Sequence, residues 1–231
     1  DTVLRLKNVG KKFNSGYRAL HNVNLTITTN EFVYITGSSG AGKSTFLNLL
    51  SATEQSSHGE INIGQLAYNN LRANQLHLIR SQLGLVPQTP MLISDQSVAN
   101  NVALPLIIKG KSSREISKKV RAVLEKVGLI NKANYLASTL SGGEQQRVAI
   151  ARAIINKPLY IIADEPTGNL DPSLSLEILN LLVDFHRVGV GIIIATHDVS
   201  LLEHFPARQI VIDKGQIAFD STAREDISCM T

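Results

Sequence analysis

Phe32-Val33-Tyr34-Ile35-Thr36-Gly37-Ser38-Ser39-Gly40-Ala41-Gly42-Lys43-Ser44-Thr45-Phe46-Leu47-Asn48-Leu49-Leu50 decides how the rest of this chain is read. Phe32 to Ile35 is continuously apolar, as in a central strand covered on both faces. It runs into a glycine loop, and the residues from Thr45 onward continue as a helix. In such a loop successive backbone N–H groups point inward at phosphate oxygens, and a side chain larger than hydrogen would block the approach. Gly37, Gly40 and Gly42 meet that need, with Ser38, Ser39, Ala41 and Thr45 completing the cradle. Lys43 has the reach for β and γ phosphates, and the hydroxyl of Ser44 suits Mg²⁺. The expectation is an α/β nucleotide-binding fold of the P-loop NTPase kind.

Outward from this stretch, Val3-Leu4-Arg5-Leu6 and Val23-Asn24-Leu25-Thr26-Ile27 alternate as half-buried strands, with Asn14-Ser15-Gly16 turning between them. They predict an antiparallel layer at the N-terminus. Gly59-Glu60-Ile61-Asn62-Ile63-Gly64 reads as a further short strand. Residues 96–152 change character: Ile116, Val120, Val123, Leu124 and Val127 share one helical face, and Gly128 stops that helix. A helical subdomain, approximately residues 89–155, is therefore expected as an insertion within a single domain spanning 1–231. Leu159-Tyr160-Ile161-Ile162-Ala163 and Gly191-Ile192-Ile193-Ile194-Ala195 are continuous apolar strands flanking a helix over 173–188, a βαβ unit of a parallel, RecA-like core sheet. Gln209-Ile210-Val211-Ile212-Asp213, Lys214-Gly215 and Gln216-Ile217-Ala218-Phe219 read as a closing hairpin.

The remaining chemistry clusters at strand ends. Asp164 closes an apolar strand, where phosphates lie in open α/β sheets, and would hold Mg²⁺ through water. Glu165, one residue on, is the candidate general base that orients or deprotonates the attacking water. His197, closing the Ala195-Thr196 strand end, is expected near the γ phosphate; alone it would read as an ordinary surface histidine. Gln88, after Val86-Pro87, leaves a strand where the helical insertion begins and can contact Mg²⁺ or water. For adenine stacking Phe13 is the choice and Tyr17 the runner-up, although either ring can simply pack a turn. Nothing nearby offers the base edge an obvious hydrogen bond, so base selectivity should be modest.

Composition narrows the class. In 231 residues, 43% hydrophobic and 18% charged residues exclude a disordered chain and allow a large core. No apolar run approaches the ~20 residues that cross a bilayer, and residues 1–8 do not read as a signal peptide, so a cytoplasmic protein is expected. The lone Cys229 has no disulfide partner in the chain and no role is assigned to it. The net charge of +4 comes from scattered Lys and Arg, so nucleic-acid binding is not expected.

Leu140-Ser141-Gly142-Gly143-Glu144-Gln145, lying between the glycine loop and Asp164-Glu165, resembles the signature of the ATP-binding subunits of ABC transporters, and the likeness covers nearly the whole chain. The resemblance implies the ABC ATPase fold, Mg²⁺-dependent ATP hydrolysis, and a head-to-tail homodimer around two ATP. In it Ser141, Gly142, Gly143 and Gln145 serve the nucleotide held by the other copy's Lys43. It also implies that Asn169-Leu170-Asp171 crosses the dimer interface and that Gln88 marks the groove for a membrane subunit. Residues 164–171 are similar to the branch holding lipoprotein-release, macrolide-export and FtsE-type cell-division ATPases. Residues 101–108 and 185–190 are most similar to the FtsE type. That likeness implies an FtsX-like membrane partner at the cytoplasmic face of the bacterial inner membrane, septal division proteins beyond it, and activation of peptidoglycan hydrolases. The rivals are an export ATPase with another permease and a soluble ATPase acting on nucleic acid. The sequence departs from the pattern at Phe13, where tyrosine is usual, and at Thr89-Pro90. Met91, Leu92 and Ile93 with residues 98–108 form the candidate docking segment, with burial in the helical insertion as the alternative.

Overall fold

The computed structural model describes residues 3–224, so Cys229 lies outside the described residues. Its contacts divide into two units, one of residues 1–80 and 191–231, the other of residues 81–190. In the first unit the chain begins with β1 (Val3–Lys12) and β2 (Arg18–Thr28), paired antiparallel from Val3↔Thr28 to Lys12↔Arg18. Leu4 and Leu6 of β1 and Leu25 and Ile27 of β2 are buried at alternate positions, the period-2 pattern read from sequence. Next come β3 (Phe32–Thr36), buried along its length, and α1 (Lys43–Leu50). After them β4 (His58–Ile63) pairs with the other edge of β1, and the short β5 (Leu66–Ala67) and α2 (His77–Arg80) follow. The antiparallel layer has the order β2-β1-β4-β5, so the glycine-bounded strand belongs to it.

The second unit contains β6 (Leu83–Val86), α3 (Val98–Ile108), α4 (Ser113–Lys126), α5 (Gly142–Ile154), β7 (Tyr160–Asp164) and α6 (Pro172–Arg187). Its strands pair in parallel from Leu83↔Tyr160 to Val86↔Ala163. The apolar face of α4 is buried through Val120, Val123 and Leu124, as its spacing predicts. Helix α5 lies so close on β6 that a Cβ on Gly84 would stand 2.6 Å from the Ala153 carbonyl oxygen. Asn101, fully buried in α3, accepts from the Ile93 N–H at 2.8 Å and donates to the carbonyls of Ile93 and Ser97, which fixes the loop entering the helices.

The chain then re-enters the first unit with β8 (Gly191–Ala195), α7 (Ser200–His204), β9 (Arg208–Asp213) and β10 (Gln216–Asp220). β3 lies between β8 and β9, parallel to both, which explains its unbroken apolar sequence. β9 and β10 form the expected hairpin, and both residues of its turn, Lys214 and Gly215, have positive φ as a tight two-residue turn demands.

One partly buried ion network ties this unit together. The Arg208 guanidinium bonds both Asp220 oxygens, at 3.0 and 2.7 Å, and both Glu31 oxygens, at 3.0 and 3.1 Å, and also the Thr26 carbonyl. Burial raises the Asp220 carboxyl, but the bonds from Arg208 and Thr222 outweigh it and leave the pKa below its ordinary value. A depressed carboxyl stabilises the fold above its unfolded pKa and loses that stabilisation as pH falls through the folded value. Removing Arg208 strands two partly buried carboxylates. Arg208→Met is expected to cost about 3 kcal/mol, measured by urea denaturation at neutral pH, with a smaller difference from wild type in acid.

Candidate functional site

In the first unit, β3 delivers the chain into the glycine loop and α1 starts at Lys43. The loop's shape is set by a segment far along the chain. The Gly215 N–H donates to the Ala41 carbonyl at 2.9 Å, while the Gly215 carbonyl accepts from the His21 N–H at 2.8 Å. A Cβ at Gly37 would lie 2.2 Å from the Ile212 carbonyl oxygen, and one at Gly42 would lie 2.8 Å from that of Ala19. Both glycines are thus required by the chain's own backbone, a reason that sequence reading, which looked only to phosphate, did not supply. Gly40 differs: its φ is +77° and a Cβ there would meet nothing within 4 Å, so it borders open space.

Electrostatics make this loop an anion site. Helices α3 to α6 are each capped by a side-chain oxygen, from Ser97, Ser112, Ser141 and Asp171. Helix α1 has neither a side-chain cap nor an acidic residue in its first turn. Its leading N–H groups and the positive end of its dipole suit a phosphate. The Lys43 ammonium, largely buried, donates to the Gly37 carbonyl at 2.6 Å and to the Ser38 carbonyl at 3.1 Å. These acceptors are neutral, and an anionic oxygen offers the same ammonium stronger bonds. The residues therefore fit a polyphosphate.

Beside the loop, Phe13 and Tyr17 end the first hairpin with their rings nearly parallel, 9° between planes and 6.4 Å between centroids. The Tyr17 hydroxyl donates to the Gly40 carbonyl at 3.4 Å, so the sequence's first and second choices for base stacking stand together. The Lys11 ammonium lies 5.0 Å from the Phe13 ring centre. His197 follows the buried Thr196 at the end of β8 and is exposed. Its successor Asp198 accepts from the N–H and hydroxyl of Ser200, which fixes the turn.

The second unit carries the other candidates. Asp164 is the last residue of β7, and Glu165 immediately follows with φ +45°, a left-handed backbone unusual for a glutamate. Such strain gathers at functional sites. Gln88 is exposed two residues beyond β6, and its amide nitrogen would stand 2.8 Å from a Cβ on Gly168, so glycine there leaves room for it.

Ser141 opens α5 through a reciprocal box: its hydroxyl accepts from the Glu144 N–H at 3.3 Å and its own N–H donates to Glu144 at 3.0 Å. That hydroxyl still has its proton to donate. The Lys132 ammonium and then the Ser141 N–H hold the Glu144 carboxyl below its usual range. Gly143 is buried, and a Cβ there would stand 3.3 Å from Leu174; Gly142 is exposed. Gln145 turns its amide back to the carbonyls of Ala137 and Leu140. Among the described residues no cluster of three or more His, Cys, Asp or Glu forms a metal cage.

A glycine loop on an uncapped helix and a signature serine heading another helix are joined by a sequence comparison in which residues 20–168 match the family model described as ABC transporter. This chain belongs to the ABC transporter family. Among its ABC relatives, the cell division ATP-binding protein FtsE of Escherichia coli K12 is 43% identical over 93% of this chain and 97% of its own length. The FtsE of Mycobacterium tuberculosis is 42% identical over 94% of this chain and 95% of its own. The solved ATP-binding cassette MJ0796, dimeric in a post-hydrolysis state with ADP and Pi, is 38% identical. It aligns with a TM-score of 0.85 over 94% of this chain and 97% of that one. The ABC ATPase fold read from sequence is thereby established, and the chain is an ATPase of that family.

Sequence reasoning missed three features of this ABC protein. The Gly215 clasp joins distant segments that no local pattern links. The left-handed Glu165 stands in an ordinary strand-end sequence. Gln146, polar and almost completely buried in α5, sits at a position of the helix pattern where it could have been noticed.

Proposed function

We propose that this ABC ATPase is the nucleotide-binding subunit of an FtsEX-type cell-division complex, driving an FtsX-like membrane protein from the cytoplasmic face of the bacterial inner membrane. The observation that carries the catalytic part is the uncapped start of α1 beside the Lys43 ammonium, which bonds the neutral carbonyls of Gly37 and Ser38, an arrangement suited to an anion. The cell-division part is supported by FtsE relatives that match nearly end to end.

In this reading the loop N–H groups and Lys43 bind the β and γ phosphates of ATP, and Phe13 stacks on the base. Glu165 takes the proton of the attacking water, while His197 and Gln88 orient the γ phosphate and that water. Bound Mg²⁺ would neutralise the phosphates, with Ser44, Asp164 and Gln88 as its protein groups; so small a donor set suits a cation that draws its other oxygens from substrate and water. Ser141, Gly142 and Gly143 serve the ATP of a second copy, so the active species is an ATP-dependent homodimer, a state in keeping with the dimeric relative. The nucleotide-binding domain is read as a single one over 1–231, with residues 89–155 as its helical subdomain.

Among the described residues no helix is long and apolar enough to cross a membrane; in this reading force passes through a docked partner. Met91 and Ile108, 73% and 78% exposed, with Ile93 and Ile107 give that partner an apolar surface, whereas Val98, Val102 and Leu106 of the same segment are core. The test is to purify the Glu165→Gln protein with ATP and Mg²⁺ from detergent-solubilised membranes of its own cells and identify what accompanies it. An FtsX-like protein is expected; a different permease would move the function to export, and none would end the membrane-partner reading.

A further inference from the structure

Gln146 is 2% exposed inside α5, five residues beyond the signature serine, Ser141. Its Nε2 donates to the carbonyl of Pro87 at 3.2 Å, the residue immediately before Gln88. Its Oε1 is buried and, among the described residues, has no hydrogen-bond partner. Flipping the amide gives no relief, because Oε1 would then oppose another acceptor, the Pro87 carbonyl. Burying such an oxygen unbonded costs stability, and leucine would fill nearly the same space without that cost. A core position that keeps glutamine under these terms serves something other than stability.

The surroundings indicate what it serves. The Gln88 amide rests against Gly168, which stands between Glu165 and Leu170, and the Gly168 N–H donates to the Glu165 carbonyl at 3.0 Å. A Cβ on Gly142 would touch Leu170 at 3.8 Å. The Gln88 loop, the turn after Glu165 and the head of α5 thus form one continuous set of contacts inside this unit. The Gln146 bond to Pro87 ties the loop to the helix next to Gln88 itself, while Arg152, further along the same helix, donates to the Met91 carbonyl at 2.7 Å.

We infer that Gln146 is a positioning residue that makes the Gln88 loop and the signature end of α5 move as one. It touches neither nucleotide nor metal. Its bond to Pro87 fixes where Gln88 emerges, and its unbonded Oε1 can take up a donor when that loop shifts, so that neither position of the loop is forbidden. The inference rests on the proposed roles of Gln88 and Ser141 and assigns a role to a residue outside them.

The experiment compares wild type, Gln146→Leu, Gln88→Ala and the double variant for ATPase kcat, for Kd of a fluorescent ATP analogue with Mg²⁺, and for Tm. Gln146→Leu is expected to lower kcat about tenfold with Kd within about twofold of wild type and Tm near the wild-type value, because losing the unbonded oxygen offsets losing the bond to Pro87. The double variant should be no slower than the slower single one, as for residues acting through one path. A kcat at the wild-type level, or losses that multiply in the double variant, would overturn the assignment. Should Gln146→Leu lower Tm, Gln146→Met, closer in shape, decides: slow turnover at the wild-type Tm supports the role, and wild-type turnover rejects it. A wild-type chain that does not hydrolyse ATP would instead sink the proposed function, so the two failures are told apart.

Discussion

Glu165→Gln is expected to hold ATP with near wild-type affinity, accumulate the closed homodimer and lose turnover by about a hundredfold to ten-thousandfold, the range a positioned general base contributes. Glutamine matches glutamate in shape and can still orient a water through its amide, but it takes no proton at neutral pH. Loss of kcat with binding retained therefore separates proton transfer from binding. Single-turnover hydrolysis and size-exclusion chromatography with Mg-ATP read the two effects, and a variant hydrolysing at the wild-type rate would refute the assignment. The backbone supplies an independent control. Glu165 holds φ +45°, which costs an L-residue about 1–2 kcal/mol. Glu165→Gly releases that strain, so it should raise Tm while being as inactive as the glutamine variant. A gain in stability at the expense of chemistry is what a strained functional position predicts.

Lys43→Ala is expected to act one step earlier. The ammonium bonds two loop carbonyls, and ATP would offer it anionic oxygens instead. Two charge-assisted bonds at about 1.5 kcal/mol each correspond to a loss of binding of about a hundredfold or more. The fold should survive, because the Gly215 bond to Ala41 and the strand pairs of β3 do not involve the lysine side chain. Calorimetric titration with Mg-ATP measures the loss. Affinity within a few-fold of wild type would remove Lys43 from the phosphate site.

These residues also show where sequence was informative. The run from Phe32 to Leu50 was legible because each step has its own local cause: unbroken apolar residues for a strand buried on both sides, glycines for a tight loop, then helix formers. The α4 face and the Lys214-Gly215 turn were legible for the same reason, being patterns that close within a few residues. What could not be read depends on partners distant in sequence. Gly37 and Gly42 looked like concessions to phosphate, yet Ile212 and Ala19 press on them from other strands. Gly59 to Gly64 announced a strand, but nothing in that stretch says that it joins the free edge of β1. In residues 98–108, apolar composition alone could not separate the core residues Val102 and Leu106 from Ile108, which faces solvent. Only the neighbours that α3 meets make that distinction. Glu165 is opaque in another way, since its left-handed backbone is imposed by the surrounding turn and no property of glutamate announces it.

The bond between Gly215 and Ala41 has a consequence for how the protein is made. The glycine loop leaves the ribosome long before the turn that clasps it, because Ala41 precedes Gly215 by most of the nucleotide-binding fold. Chains emerge at about 5–20 residues per second, so for many seconds the nascent protein carries the loop without its clasp. Tight capture of nucleotide should begin only once residue 215 has emerged and folded back. A ribosome-bound chain halted before that point would have the whole phosphate-binding sequence but should leave ATP in solution.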